Sequence, residues 1–377
     1  MSTSYSSTLN LLKGHPNSSH LPASLLQSSF NRLSPSSLLT SLNYGPESGP
    51  LSLKTSLAQF LSSSNPPSPN QIFITNGISH SLSLLTSTLK PKIVYTESPT
   101  YFLSRKIFED EGAQVIDVPM KSTHGGIDIP LFSSLLSSSS SSSPSSPSPK
   151  FLYIIPTHNN PTSYTYSLSE RKQLVDLCIA NKIYLIADEV YHFLTFDNTK
   201  DLNERVRQVS EKEWVVGLGS FTKIWSPGIR CGWIECDSSI LETIEKQGYI
   251  RSQGGINPFT SEIMSEALIG GEVSQNVTFL NSEYAKRVES IWNLIEGCSN
   301  LKANKPEGGY FIWLEVLNAP SDFIETLEND YKLIVMDGKE CGGGDGVFMR
   351  ICFACLEEEE VVEGVKRLVK AVEDLTG

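Results

Sequence analysis

Short, mainly apolar runs alternate with helical patterns along the first 220 residues, and this alternation limits the possible folds more than any other feature of the chain. The runs cover residues 71–75, 93–95, 115–118, 151–155, 183–187 and 214–217. Helical patterns lie between them at residues 79–89, 101–111 and 169–181, the last with Ser169 as its expected N-cap. Strands that alternate with helices indicate an α/β fold whose sheet is mostly parallel.

The remainder of the chain predicts a second, smaller unit. One helical stretch extends from about residue 260 to residue 296, and a strand at 348–353 precedes an amphipathic helix at 357–375. A length of 377 residues suits one large domain and a smaller one.

A low-complexity segment, residues 137–149, consists of serine and proline alone. Such a run buries too little apolar area to offset the entropy cost of ordering it. We expect a surface loop inserted in the large domain, because the apolar run directly after it reads as a buried strand.

Composition argues against several classes of function. The net charge is −12 and no basic block occurs, so a nucleic-acid-binding surface is not expected. No stretch of 18 apolar residues indicates a membrane span, and the N-terminus lacks the apolar core of a signal peptide. The seven cysteines have no framework spacing and predict reduced thiols, and Cys352 and Cys355 form a CxxC without the second pair of a zinc site.

Polar turns follow five of the predicted strands. In open α/β sheets, ligands bind beyond the carboxyl ends of the strands, so these turns should meet at one edge. The turns are residues 76–80, 97–101, 156–161, 188–191 and 220–223. Their convergence predicts a binding site.

Lys223 is the most reactive candidate in these turns. It lies among Phe221, Ile224 and Trp225, and an apolar setting lowers a lysine pKa and frees the amine to form a Schiff base. A surface lysine beside a Pro-Gly turn is the alternative interpretation.

A second group of residues suits a phosphate. Gly77 ends a strand and opens a helix, whose first amides favour anions, and Ser79 adds a hydroxyl. Ser220 and Arg230 flank Lys223 and could reach the same phosphate. An ordinary strand–helix turn would explain Gly77 equally well.

Two charged residues occupy apolar strands. Asp188 follows a buried strand and needs a partner, for which a protonated pyridine nitrogen, a salt bridge or a helix cap would serve. Arg350 lies in a very apolar strand and must face an anion, either a substrate carboxylate or a structural carboxylate such as Glu315.

Three further side chains could contact a planar ring. Tyr101 could stack on it or serve as a core tyrosine. Tyr191 and Asn160 could hydrogen-bond a phenolate oxygen, although Asn160-Pro161 is also ordinary turn chemistry.

These residues, in this order, resemble the class I and II aminotransferases, which depend on pyridoxal 5′-phosphate (PLP) and have the fold called type I. The resemblance extends from about residue 9 to the last helix and is similar in detail to the branch that includes 2-aminoadipate and broad-specificity aminotransferases. The matching motifs are Tyr44-Gly45, Asn76-Gly77, Pro99-Thr100-Tyr101, Asn160-Pro161-Thr162, Asp188-Glu189-Val190-Tyr191, Ser220-Phe221-Thr222-Lys223, Pro227-Gly228-Ile229-Arg230, Pro306 to Trp313, and Arg350.

The resemblance implies a seven-stranded, mostly parallel sheet in a large PLP-binding domain, residues 46–270, and a smaller α+β domain, residues 271–377. Residues 1–45 would form an N-terminal segment that joins the small domain. It also implies a homodimer, because Tyr44 of one subunit would reach the phosphate of the other.

Specific roles follow from the same resemblance. Lys223 would form the Schiff base with PLP, Asp188 would keep the ring nitrogen protonated, and Tyr101 would stack on the ring. Tyr191 and Asn160 would hold the ring hydroxyl, and Arg350 would bind the α-carboxylate of a substrate that Gly14 borders. The phosphate would contact Tyr44, Gly77, Ile78 through its amide, Ser79, Ser220 and Arg230.

The implied reaction moves the amino group of an L-amino acid to a 2-oxo acid in two half-reactions, with the freed Lys223 amine as general base. A lyase or synthase on the same fold is an alternative, because the PLP contacts would be shared. A ligand-sensing regulator would carry a DNA-binding module ahead of the match, where only about eight residues stand. We expect a cytoplasmic protein, since a cleaved leader would remove residues that match the family.

Three positions depart from the family pattern. Ser163 stands where the pattern has glycine, His80 lies in the phosphate turn without an assigned role, and Cys231 replaces an aliphatic residue. The expected PLP contacts are all present, so these departures bear on the choice of substrate.

Overall fold

The structure is a computed structural model, and it describes residues 7–139, 148–197, 204–209 and 213–377. The described residues form thirteen strands and fourteen α-helices. The strands are β1 (Leu9–Asn10), β2 (Ile72–Thr75), β3 (Ile93–Thr96), β4 (Gln114–Asp117), β5 (Lys150–Ile154), β6 (Ile183–Asp188), β7 (Val215–Ser220), β8 (Gly232–Glu235), β9 (Leu301–Ala303), β10 (Phe311–Val316), β11 (Leu333–Ile334), β12 (Met336–Asp337) and β13 (Val347–Cys352).

The fourteen α-helices are interspersed with these strands along the chain. They are α1 (Ala23–Asn31), α2 (Pro35–Ser41), α3 (Leu51–Leu61), α4 (Ile78–Leu89), α5 (Phe102–Asp110), α6 (Ile129–Ser139), α7 (Leu168–Ala180), α8 (Val206–Val209), α9 (Ser238–Glu245), α10 (Gly248–Arg251), α11 (Pro258–Ile269), α12 (Glu272–Glu296), α13 (Phe323–Asn329) and α14 (Glu358–Thr376).

The large sheet has seven strands in the order β2-β8-β7-β6-β5-β3-β4. Only β8 runs antiparallel to its neighbours within this sheet, so the predicted mostly parallel, seven-stranded sheet is confirmed. Strands β5, β6 and β7 are buried along nearly their whole length because helices cover both faces. The apolar pattern missed β8, which is only four residues long and ends at Glu235.

The smaller sheet is antiparallel, in the order β12-β13-β10-β9. The N-terminal strand β1 pairs in parallel with β11, which joins the start of the chain to the C-terminal part. The domain limits at residues 45 and 270 stay predictions.

Three local predictions need correction. The long helix predicted over 260–296 is two helices, α11 and α12, because Gly271 adopts a left-handed φ of 82° between them. Helix α7 is capped by Ser167 and not Ser169, in a reciprocal capping box with Glu170. Of the serine–proline segment predicted as a loop, residues 137–139 continue helix α6 and residues 140–147 lie outside the described residues.

No helix among the described residues combines the length and the apolar character needed to cross a membrane. All seven cysteines are buried and free of disulfide bonds.

Candidate active site

A cavity of about 390 Å³ opens at the carboxyl ends of the parallel strands, between the large sheet and strand β13. This volume lies within the usual range for small-molecule sites. Ten of the predicted residues line it: Gly14, Ile78, Ser79, Tyr101, Asn160, Asp188, Tyr191, Lys223, Arg230 and Arg350.

Three predicted residues lie outside the lining. Gly77 and Ser220 stand directly behind it, because a Cβ at Gly77 would come within 3.1 Å of Arg230 Nη2 and 3.5 Å of Ser220 Oγ. Tyr44 is 83% exposed on the outer surface, so this chain does not bring its own Tyr44 to its own cavity.

Lys223 follows strand β7 and points its amine into the cavity. Its Nζ donates to the Gly14 carbonyl and lies 5.2 Å from the centre of the Tyr310 ring. Tyr310 in turn donates to the Lys223 carbonyl at 2.8 Å, which fixes the backbone of this turn. Burial lowers the pKa of Lys223 to about 8, so roughly a tenth of the amine is neutral and nucleophilic at pH 7.

Asp188 is the last residue of β6 and is only 2% exposed. Its Oδ2 accepts from the Tyr153 hydroxyl at 2.8 Å and its Oδ1 accepts from the Val190 amide at 3.2 Å. Burial raises the pKa of Asp188 to about 6, while these two donors and the charge of Lys223 act in the opposite direction. A cation in the cavity would therefore find a desolvated carboxylate.

Arg350 reaches the cavity from strand β13. Its Nη1 donates to Asn160 Oδ1 and its Nη2 to the Leu12 carbonyl, both at 2.8 Å, and its guanidinium lies 4.0 Å from the centre of the Phe311 ring. No described residue accepts from its buried Nε. The alternative partner Glu315 pairs with Lys302 at 3.8 Å, directly opposite it on β9. Arg350 is thus held in place without a carboxylate partner among the described residues and can take one from a ligand.

The turn between β2 and α4 suits an anion. Gly77 has a φ of 101°, which an L side chain adopts with strain, and the first amides of α4 begin at Ile78 and Ser79. Arg230 closes the turn, where its Nη2 donates to the Asn76 carbonyl at 2.6 Å. Amides, hydroxyls and a guanidinium around one point form the donor set expected for a phosphate.

Each of the three residues that depart from the family pattern has a defined local setting in the structure. Ser163 adopts a φ of 58° and donates to the Phe311 carbonyl at 2.5 Å, so serine here tolerates the conformation that favours glycine. His80 Nδ1 accepts from the backbone amide of Asn76 at 3.0 Å, and this hydrogen bond stabilises the turn between β2 and α4. Cys231 is a fully buried packing residue.

The sequence analysis missed several residues of the site. Thr222 and Phe311 line the cavity, and Tyr153 and Glu97 lie behind it. Tyr153 could have been found from strand register, because it pairs with Ile186, two residues before Asp188 on the same face. Glu97 could have been found as the carboxylate that ends a buried strand ahead of Pro99.

Glu97 joins two of the turns that shape the cavity. It is 1% exposed, and its Oε2 accepts from the Ile155 amide at 2.8 Å and from Asn159 Nδ2 at 2.9 Å. Its Oε1 accepts from the Tyr166 hydroxyl at 2.7 Å. The turn that leads to Tyr101 is therefore tied to the turn that carries Asn160.

Replacement of Glu97 by glutamine should change how stability depends on pH. Burial raises the pKa of Glu97 to about 8 against 4.5 in the unfolded chain, so between these values only the folded state holds the proton. The free energy of unfolding should fall with rising pH, and Glu97→Gln should remove up to about 1.4 kcal/mol per pH unit of that slope. Urea unfolding of both apoenzymes at pH 5.5 and 7.5 measures this, and parallel pH dependences would contradict it.

The chain matches the family model described as "Aminotransferase class I and II" over residues 36–368. It is 24% identical to 2-aminoadipate transaminase of Thermus thermophilus over 346 residues, 89% of this chain and 82% of that protein. It is 25% identical to aromatic-amino-acid aminotransferase 1 of Thermococcus litoralis over 385 residues, 98% of this chain and 89% of that protein.

Solved structures show the same fold. The multiple substrate aminotransferase from Thermococcus profundus superposes with a TM-score of 0.84 at 20% identity, covering 98% of this chain and 92% of that one. This likeness confirms the predicted fold, that of the type I PLP-dependent aminotransferases. Since the family model matches most of the chain, the protein belongs to the class I and II aminotransferases and is a transaminase.

Proposed function

We propose that the protein is a cytoplasmic, homodimeric, PLP-dependent aminotransferase that moves the amino group of an L-amino acid to a 2-oxo acid. One observation carries the proposal. Four features surround a single cavity. They are an amine of lowered pKa at Lys223, a buried carboxylate at Asp188, an arginine without a carboxylate partner among the described residues at Arg350, and a turn that suits an anion at Gly77.

The residues present fit PLP. The turn at Gly77 has no Cβ to fill the space beside Arg230 and Ser220, so a phosphate can approach the backbone. Lys223 offers an amine for covalent attachment, and Asp188 offers a buried acceptor for a ring N–H. When bound, the cofactor supplies an electron sink for charge that develops at the substrate Cα.

Different side chains would contact different parts of the cofactor. Asp188 would hold a proton on the ring nitrogen, and Tyr101 would pack on the ring face from the start of α5. Tyr191 and Asn160 would donate to the ring hydroxyl oxygen, with Asn160 oriented by Arg350. Ile78, Ser79, Ser220 and Arg230 would hold the phosphate.

Lys223 and Arg350 would handle the substrate. Arg350 would pair with its α-carboxylate, and this contact would set the Cα–H bond toward Lys223. The Lys223 amine, once released from the cofactor, would take the Cα proton and later return it. Gly14 lines the cavity and would border the substrate. A Cβ at this position would come within 2.7 Å of the Phe311 ring, so only glycine fits without displacing the ring.

A half-reaction assay tests the proposed function. Purified enzyme loaded with PLP is mixed with a panel of L-amino acids in the absence of any 2-oxo acid. Conversion of the bound cofactor to its amino form, with one equivalent of 2-oxo acid released, supports transfer. Sustained release of ammonia and a 2-oxo acid without an acceptor would identify a lyase instead.

Exposed apolar side chains on α1, α2 and α11, in the connection after α2 and at the start of α3 support the homodimer. Single exposed apolar residues are common, but a group on adjacent helices marks an interaction surface. The exposed residues there are Phe30, Leu39, Leu42, Tyr44, Leu51 and Ile269. Tyr44 lies within this group, so a second copy that covers the surface could receive the Tyr44 hydroxyl at its phosphate.

We expect Tyr44→Phe to remain a dimer and to bind PLP about tenfold more weakly, since a hydrogen bond to a charged group is lost. Light scattering gives the mass, and titration of the apoenzyme with PLP gives the affinity. An active monomer in solution, or unchanged affinity in the variant, would contradict the assigned role.

A further inference from the structure

Tyr153 and Asp188 meet across two adjacent parallel strands. Tyr153 lies on β5 opposite Ile186 of β6, and Asp188 stands two residues farther along the same face of β6. This diagonal spacing is within reach of a tyrosine side chain. The Tyr153 hydroxyl uses it to donate to Asp188 Oδ2 at 2.8 Å.

The Tyr153 ring has little freedom to move. It is fully buried and packs edge-on against Phe108 of α5, with ring centres 5.6 Å apart. Burial and the neighbouring charge of Asp188 hold the pKa of Tyr153 well above its usual value, so the phenol stays protonated and remains a donor.

The surroundings of Asp188 otherwise discourage its charge. Lys223 favours the ionised carboxylate, whereas burial opposes it, and the phenols that face it are neutral. The titratable groups that face Asp188 come from β3, β5, the start of α5 and the turns after β6 and β7: Glu97, Tyr153, Tyr101, Tyr191 and Lys223. Tyr153 and the Val190 amide are the described groups that donate hydrogen bonds to Asp188, and bonding of Lys223 to a cofactor would alter neither of them.

We propose that Tyr153 is a positioning residue that keeps Asp188 ionised and fixes its orientation toward the cofactor ring nitrogen. The inference rests on the proposed function. A carboxylate oxygen accepts more than one hydrogen bond, so the contact with Tyr153 leaves Asp188 able to accept the ring N–H. A protonated Asp188 could not hold that proton, and the phenol therefore tunes the cofactor without touching it.

Tyr153→Phe removes only the hydroxyl and tests the proposal directly. The apoenzyme is titrated with PLP from pH 5.5 to 8.5, and covalent attachment is followed by absorbance and borohydride reduction. PLP affinity should fall at low pH, where Asp188 is protonated, and loss of the donor should move this acid limb of the affinity curve to higher pH by about one unit. The variant should therefore bind about tenfold more weakly at pH 5.5 and match the wild-type enzyme at pH 8.5.

Two controls separate this effect from structural damage. Tyr95→Phe removes a phenol from the neighbouring strand β3, where the ring packs against Phe132 in a different part of the core, and its acid limb should not move. A cofactor analogue with carbon in place of the ring nitrogen offers Asp188 no proton. Its affinity should therefore be the same in the wild-type enzyme and Tyr153→Phe at every pH.

The outcomes distinguish the inference from the proposed function. Two results would overturn the positioning role while the wild-type enzyme still binds PLP covalently. One is an acid limb in Tyr153→Phe that does not move, and the other is an equal loss of affinity for PLP and for the analogue. Failure of the wild-type enzyme to bind PLP covalently would overturn the proposed function, and the role of Tyr153 with it.

Discussion

Lys223→Ala should abolish covalent attachment of PLP and lower the rate of amino transfer at least about 10⁴-fold. The substitution removes the amine that would bond to the cofactor and also the general base for the Cα proton, and general-base catalysis alone typically contributes 10²–10⁴-fold. The phosphate turn at Gly77 and Arg230 is untouched. PLP should therefore still bind, but reversibly and without a bond that borohydride can reduce.

Lys54→Ala is the matched control for this experiment. Lys54 is also buried, its pKa is also lowered by burial, and it donates to Ser48 Oγ at 3.1 Å away from the cavity. Reduction with borohydride followed by peptide mapping should place the cofactor on Lys223 in this variant and in the wild-type enzyme. A reducible adduct at full stoichiometry in Lys223→Ala would show that another lysine holds the cofactor.

Most of the large sheet could be predicted from sequence because its strands are buried on both faces and are therefore continuously apolar. Strand β8 escaped because its two apolar residues Trp233 and Ile234 are too few to form a recognisable run, and the partner of its Glu235, Arg205, comes from the distant helix α8 region and cannot be paired by local pattern. The break between α11 and α12 escaped for a different reason. Glycine inside a helical pattern is often tolerated, and only the φ of Gly271 reveals the turn.

The cavity-lining residues were predictable where a polar group interrupts an apolar run, as at Asp188 and Arg350. Tyr153, behind the lining, was not, because its role depends on a partner in another strand. Tyr153 reads as one more aromatic residue in a buried strand until the register with β6 places Asp188 beside it. Tyr44 shows the same limit at a larger scale, since the role proposed for this exposed residue depends on a second copy of the chain.

Asp188→Asn should lower the turnover number by about 10²–10³-fold, the usual cost of removing one preorganised electrostatic contact from an active site. Asparagine has nearly the same shape, but it is neutral and cannot stabilise a protonated ring nitrogen. We expect PLP to remain bound to Lys223, with the half-reaction slowed in both directions. Stopped-flow absorbance of that half-reaction measures the loss, and a change of less than about fivefold would contradict the role of Asp188.

Glu189→Gln is the control, because it removes the adjacent buried carboxylate. Glu189 accepts from the Val206 amide at 2.5 Å and lies 3.5 Å from Arg205 Nη1, outside the lining of the cavity. The half-reaction of the folded variant should stay within a few-fold of the wild-type rate.

Asp188→Asn should also separate function from stability. The pKa of Asp188 is raised from 3.8 to about 6 by burial, so its ionisation opposes folding increasingly as pH rises through that window. At pH 7.5 the accumulated cost is on the order of 2–3 kcal/mol, and Asp188→Asn removes it. The Asp188→Asn apoenzyme should therefore unfold at the same or higher urea concentration than the wild-type apoenzyme at pH 7.5. A carboxylate that lowers the stability of the apoenzyme and yet is needed for turnover serves the bound ligand and not the fold.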